Sequence, residues 1–122
     1  MRVLDVERRQ GTVRTSSALT RFSPQFSQLN PETLWTGTVS LPNPSDVIDP
    51  NLTLVISWQR SMRPGIWEPV ECGAIEWQGG LGQTAPVVTC QLLARRMRLE
   101  IDILRTVGDA FVAIGADISQ NL

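Results

Sequence analysis

From Arg96 to Arg105 the chain reads RMRLEIDILR, and its apolar and polar side chains alternate without a break. Met97, Leu99, Ile101 and Ile103 form one row; Arg96, Arg98, Glu100 and Asp102 form the other. Successive side chains of a β-strand point to opposite faces, so a period of two predicts a strand buried on one side. The outward row opens with two cations and closes with two anions. A nucleic-acid footprint needs cations that add along a face, because each neutralised phosphate releases a counterion. Here they cancel. The row reads as a solvated face whose charges pair across neighbouring strands.

The same pattern recurs along the rest of the chain. In TLWTGTVSLP, Trp35, Val39 and Leu41 share a face, and Pro42 ends the run. Three prolines in PNPSDVIDPN mark a crossover loop. In LTLVISWQR, Leu52, Leu54, Ile56 and Trp58 point one way, and Thr53, Ser57 and Gln59 the other. The Pro-Gly turn of SMRPG leads into IWEPVE as the second arm of a hairpin. AIEW follows, then the glycine-rich QGGLGQ, then PVVTCQL and the Arg96–Arg105 run. After TVGDA comes FVAIGADI, where Val112, Ile114, Ala116 and Ile118 alternate. Helical signals reduce to short pieces at Ser45–Ile48 and Pro31–Leu34. Seven strands, or eight with one near the N-terminus, at intervals of about 8–12 residues predict an all-β, two-sheet antiparallel β-sandwich, with the jelly roll as one form of it.

Residues 1–31 differ in character. They hold Arg2, Arg8, Arg9, Arg14 and Arg21 against only Asp5 and Glu7, whereas the remaining 91 residues carry six arginines against ten acids. Large apolar residues are sparse, and the Ser/Thr-rich composition suits a segment that cannot bury itself. The reading is therefore an extended basic N-terminal arm over residues 1–31 and a β-sandwich domain over 32–122, with Val3–Arg8 able to form a short strand. Phe22 and Phe26 flank Pro24, which excludes an ordinary helix there. Two aromatics on such an arm suit anchors for a neighbouring surface. Tucking back onto their own domain is the alternative, and the residues leave both open.

Composition narrows the chemistry. The 122 residues include no histidine, lysine or tyrosine, and the formal net charge is −1. Without histidine, Ser–His and Cys–His nucleophile pairs cannot form within the chain. Cys72 and Cys90 are too few for a zinc site; they either bridge or serve as small buried hydrophobes. No cofactor is expected. The opening MRVLDVERRQ carries charges where a signal peptide needs an apolar run, and no window reaches transmembrane length, so neither secretion nor a membrane is expected.

Among possible sites, Trp35, Trp58 and Trp77 share the phase of neighbouring aliphatics and read as core. Trp67, beside the Pro-Gly turn, is the tryptophan expected at the surface and the residue on which a sugar would stack. Asp46, Asp49 and Asn51 offer oxygens in the proline-rich loop, but a calcium loop supplies six or more, and a turn-stabilising role fits better. Glu68 with Glu71 and Glu100 with Asp102 have the look of glycosidase carboxylates without the burial that would raise a pKa. Gly79-Gly80 lacks the lysine and helix of a phosphate loop.

Taken together, LWTGTVSLP, LTLVISWQRS…PGIWEPVE, AIEWQGG and RMRLEIDI resemble the small β-sandwich virion proteins of tailed bacteriophages over residues 33–103. Where such proteins often show an Asp-Gly-Gly turn, this chain has Met62-Arg63-Pro64-Gly65. The resemblance implies a non-enzymatic structural protein made in the host cytoplasm and placed in the virion, foremost a capsid decoration (cement) protein. A head-fibre base, a neck or tail component, or a carbohydrate-binding module are the alternatives. Its implied partners are the major capsid protein or other virion subunits and further copies of itself, with no specific nucleic acid and no membrane. Arg2, Arg8, Arg9, Arg14, Arg21, Phe22 and Phe26 are the expected partner contacts.

Overall fold

Each alternating run becomes a strand, and two further strands come from the supposed arm. The computed structural model describes residues 1–16, 34–91 and 96–121, with Cys72 and Asn121 by backbone alone. The strands are β1 (Arg2–Arg9), β2 (Gly11–Ser16), β3 (Leu34–Ser40), β4 (Leu52–Arg63), β5 (Ile66–Gln78), β6 (Val87–Gln91), β7 (Arg96–Arg105) and β8 (Val112–Asn121). One turn of helix, α1 (Pro44–Val47), precedes β4, where the sequence predicted it.

The strands form two four-stranded sheets, in the orders β1-β8-β3-β6 and β2-β7-β4-β5. Every neighbouring pair is antiparallel. Consecutive strands mostly alternate between the sheets, and the order within each is that of a jelly roll, two Greek keys wound into a sandwich. The predicted phases hold. Leu52, Leu54, Ile56 and Trp58 from β4, Met97, Leu99 and Ile101 from β7, and Val112, Ile114, Ala116 and Ile118 from β8 are fully buried between the sheets. Trp35 and Trp58 meet edge to face, with ring centroids 6.4 Å apart.

The indole of Trp58 dictates two glycines. A Cβ at Gly37 of β3 would lie 2.7 Å from Leu99 Cδ1 and 3.1 Å from Trp58 Cζ2, and one at Gly73 of β5 would lie 2.7 Å from Trp58 Cδ1. Real atoms do not approach so closely, so the largest core side chain is accommodated by missing ones on either side. Around Gly73 the ladder is irregular. The step from Ser57 to Gln59 on β4 is matched on β5 by the longer step from Ala74 to Pro69. This bulge explains why the sequence divides one strand into IWEPVE and AIEW: the alternation is interrupted, but the strand pairs with β4 on both sides of the break. Pro69 sits on β5 because β5 is an edge, where a missing N–H costs little.

Residues 1–16 correct the expected domain boundary. They are not an arm: β1 pairs with β8 from Arg2↔Asp117 to Arg9↔Val112, and β2 pairs with β7 from Gly11↔Ile103 to Ser16↔Arg98. The terminal amine donates to the Ile118 carbonyl at 2.9 Å. Apolar density misleads here because both strands lie at sheet edges and bury little. Leu4 on β1 and Val13 on β2 are their buried hydrophobes, while Thr15 is buried beside them with its hydroxyl 3.4 Å from the Leu99 carbonyl. Residues 17–31 of the expected arm lie outside the described residues.

The registers place the β1–β2 turn at Gln10, the β3–β4 loop, the β5–β6 loop and the β7–β8 loop at one end of the sandwich. The hairpin turn at Pro64-Gly65 lies at the opposite end.

Candidate interaction surfaces

At the loop-bearing end, Arg105 closes β7 and turns its guanidinium under α1. Its Nη2 donates to Asp46 Oδ1 at 2.5 Å, and its Nη1 donates to the carbonyls of Asp109 at 3.0 Å and Phe111 at 3.4 Å. Nε lies 3.0 Å from Asp49 Oδ2, an ion pair out of hydrogen-bond alignment. The Arg105 side chain is 7% exposed, so these charges interact across little solvent. The other oxygen of Asp49 accepts the Asn51 amide at 2.9 Å. One cation therefore holds both the β3–β4 and β7–β8 loops.

Gly79 completes this clamp. A Cβ there would fall 2.2 Å from the Asp49 carbonyl oxygen. The backbone of 79–80 instead lies flat against the loop, with Gly79 N–H donating to Leu52 O at 3.0 Å and Gly80 N–H to Val47 O at 3.1 Å. The expectation of a turn-stabilising role holds for Asp46 and Asp49, whose counter-ion is Arg105, while Asn51 takes part through its backbone amide. The diglycine does more than form a loop: it gives α1 a surface to rest on.

Above the clamp lies an open cavity of about 430 Å³ lined by Arg8, Asn43, Ser45, Asp46, Asp109 and Phe111, among others. Arg8 pairs with Asp109 at 2.5 Å and stands 5.1 Å from the Phe111 ring centroid. Cations and carboxylates thus balance within the cavity, giving it no net charge with which to attract an ion.

The outer face of β2-β7-β4-β5 carries a chain of polar contacts. Arg14 Nε donates to Glu100 Oε2 at 3.0 Å, Gln59 Nε2 donates to the same oxygen at 3.3 Å, and Arg98 Nε donates to Gln59 Oε1 at 2.6 Å. Thr12 donates to Asp102. Arg98, Glu100 and Asp102 of the outward row of β7 thus bond across strands, as the charge balance of that row predicts. Burial foremost, then the neighbouring charge of Arg14, lowers the Arg98 guanidinium below its ordinary pKa, with Glu100 opposing. It remains a cation at any physiological pH.

Arg98 also caps Trp67, its Cζ 4.3 Å from the ring centroid. Trp67 is half-buried, and a guanidinium lies over one face of its ring. The tryptophans expected in the core, Trp35, Trp58 and Trp77, are all buried. Trp77 also donates from Nε1 to the Thr84 carbonyl at 3.0 Å, tying the β5–β6 loop to β5.

Four of the expected partner contacts are solvent-exposed and form ion pairs within the chain. Arg2 pairs with Asp117 at 3.3 Å, Arg8 with Asp109, Arg9 with Glu7 and Arg14 with Glu100. Arg21, Phe22 and Phe26 lie outside the described residues. Of the suspected carboxylates, Glu68 is 3.4 Å from Arg60, and Glu100 and Asp102 are bonded as above. Among the described residues no cluster of three or more cysteines or carboxylates is placed to hold a metal ion. Cys90 is buried; the side chain of Cys72 lies outside the described residues. No described helix is long and apolar enough to cross a membrane.

Fold and surfaces together define an antiparallel jelly-roll sandwich on which many of the charged side chains pair with one another. Comparison with protein-family models, curated proteins and solved structures finds no match to this chain.

Proposed function

We propose that this chain is a non-enzymatic structural subunit that works by docking on a larger protein assembly, in several copies. In its finer form the proposal is a capsid decoration protein of a tailed-phage virion, with the major capsid protein as its partner. The finer form rests on the sequence resemblance over residues 33–103 alone.

The observation that carries the structural role is that most of the described carboxylates are engaged by a neighbouring side chain. General acid–base work needs a group poised to exchange a proton beside open space. Asp46 and Asp49 are instead held by Arg105, Glu100 by Arg14 and Gln59, Asp102 by Thr12, and Glu68 by Arg60. Such cross-strand pairing makes a stiff scaffold with a charge-balanced surface, which suits a part that must hold its shape against a neighbour. The exposed pairs contribute about 0–1 kcal/mol each. Arg2, Arg8, Arg9 and Arg14 can therefore exchange their own carboxylates for a partner's at small cost.

The test uses particles produced from the genome that encodes the chain, banded by density gradient. Co-sedimentation in fixed ratio to the main shell protein is expected. A chain that stays at the top of the gradient while intact particles band below would overturn the virion reading. A chain that instead sediments with another multi-subunit complex would keep the docking role and replace its setting.

A further inference from the structure

The four edge strands are not equally protected. An exposed edge offers unpaired N–H and C=O groups to any extended chain, and proteins blunt such edges with charge, proline or bulges. β1 has Arg2, Asp5, Glu7, Arg8 and Arg9 among its eight residues and two register shifts against β8. β2 has Arg14 near its centre. β5 has Pro69, the bulge beside Gly73, and Glu68, Glu71 and Glu76. β6, Val-Val-Thr-Cys-Gln, has no charge, no proline and a regular ladder to β3.

The register shows which backbone groups of β6 face outward. Gly37 pairs with Val88, and Val39 N–H donates to Pro86 O at 3.0 Å. Antiparallel pairs alternate between residues that exchange hydrogen bonds and residues that direct them away. Pro86, Val88 and Cys90 therefore face β3, and Val87, Thr89 and Gln91 present their N–H and C=O groups to the outside. Among the described residues nothing bonds to these outward groups. The side chains of the three are exposed on the outer surface of the sheet, while Val88 and Cys90 point into the core.

Charge selects what such an edge accepts. Between Ile66 and Gln91, the stretch that forms this flank through β5 and β6, there are three glutamates and no cation. Glu68 is paired with Arg60, whereas Glu71 and Glu76 are exposed without an ion pair among the described residues. A second β6 related by a twofold axis would bring two such acidic flanks together. An extended segment bearing cations is favoured, steered by the field of the flank and bound through the backbone.

We propose that β6 is a strand-addition site, and that its occupant is an extended, arginine- or lysine-bearing segment of another protein, laid antiparallel along Val87–Gln91 as a fifth strand. The site stands apart from the virion reading, since any assembly partner with such a segment would fit it.

The probe is the peptide acetyl-Val-Arg-Thr-Arg-Val-amide, with acetyl-Val-Glu-Thr-Glu-Val-amide as its opposite. Binding to the full chain is followed by amide chemical shifts and by fluorescence anisotropy of a labelled peptide. The arginine peptide should shift the amides of Val87, Thr89 and Gln91 most and lose affinity as salt rises from about 0.05 M to about 0.5 M. The glutamate peptide should bind at least about tenfold more weakly, a difference of about 1.4 kcal/mol. Thr89→Pro removes an outward donor while leaving the β3-facing bonds in place, and should abolish binding without unfolding the chain. Glu71→Gln with Glu76→Gln, which keeps every backbone group, should weaken it about threefold.

Equal affinity for both peptides, or shifts centred on another edge, would overturn the inference. So would retained binding by a folded Thr89→Pro chain. If that variant does not fold, the glutamine pair and the shift map decide alone. Sedimentation of the chain by itself covers the remaining occupant: concentration-dependent association lost in Thr89→Pro would assign the edge to a second copy and overturn the choice of partner.

Discussion

Replacing Arg105 with methionine tests whether a single buried cation holds the loop-bearing end together. The change keeps much of the side chain's length and removes its charge. What remains is Asp46, whose side chain is 10% exposed, and Asp49 at 21%, both facing a site without a counter-ion. The carbonyls of Asp109 and Phe111 lose a donor as well. Breaking one member out of a buried ion pair costs about 3–5 kcal/mol, because the remaining charge is left uncompensated. Asp49 is partly solvated, which discounts its share and places the expected loss near the lower end, about 3 kcal/mol. For a domain of this size that lowers Tm by about 10 °C. Urea unfolding followed by tryptophan fluorescence measures the loss directly. Changing Asp46→Asn and Asp49→Asn together with Arg105→Met should recover more than half of it, since no unpaired charge then remains. The asparagine at 49 still offers its carbonyl oxygen to the Asn51 amide. A single Arg105→Met variant that loses less than about 1 kcal/mol would refute the clamp, for that is the range of an exposed pair. So would a triple variant no better than the single one.

Two other perturbations follow from the packing. Gly73→Ala should cost about 1–3 kcal/mol in denaturant unfolding, because its methyl would collide with Trp58 at Cδ1 and Cβ, and the near-ultraviolet circular dichroism of the tryptophans should change with it. Deleting residues 2–16 should abolish cooperative unfolding and a dispersed amide spectrum, since it strips an edge strand from each sheet and exposes β7 and β8; a folded truncation would return these residues to the status of an arm.

The legible part of this fold is the part in which one strand reports on its own burial. Met97, Leu99 and Ile101 announce their inward face through a period of two, as do Val112, Ile114, Ala116 and Ile118, and the structure buries each of them. The signal fails where a strand buries little. β2 hides Val13 and Thr15 and is otherwise exposed, so its alternation is too thin to separate from a polar linker. It also fails where pairing survives a break in phase, as on β5 between Pro69 and Ala74. Charge was legible as a balance and not as partners: the neutral outward row of β7 is real, yet its contacts come from Arg14, Thr12 and Gln59 on β2 and β4.

The clamp was illegible for a different reason. Arg105 and Asp46 stand 59 positions apart, and neither lies in a motif whose spacing would join them. Their meeting is a consequence of topology. The jelly roll brings the β3–β4, β5–β6 and β7–β8 loops to one end, and whatever polar groups those loops carry must then satisfy one another or remain solvated. Asp46 and Asp49 face a terminal strand residue because β7 pairs with β4 in a register that sets Arg105 opposite Leu52. Gly79 fits beneath them because β5 pairs with the other side of β4. The same reasoning separates the two ends of β6. Its buried row, Val88 and Cys90, follows from alternation, but the openness of its outer edge depends on its place as the last strand of its sheet. Strand order is a property of the assembled chain. Surfaces defined by strand order therefore become visible only once the topology is known, whereas surfaces defined by phase can be read beforehand.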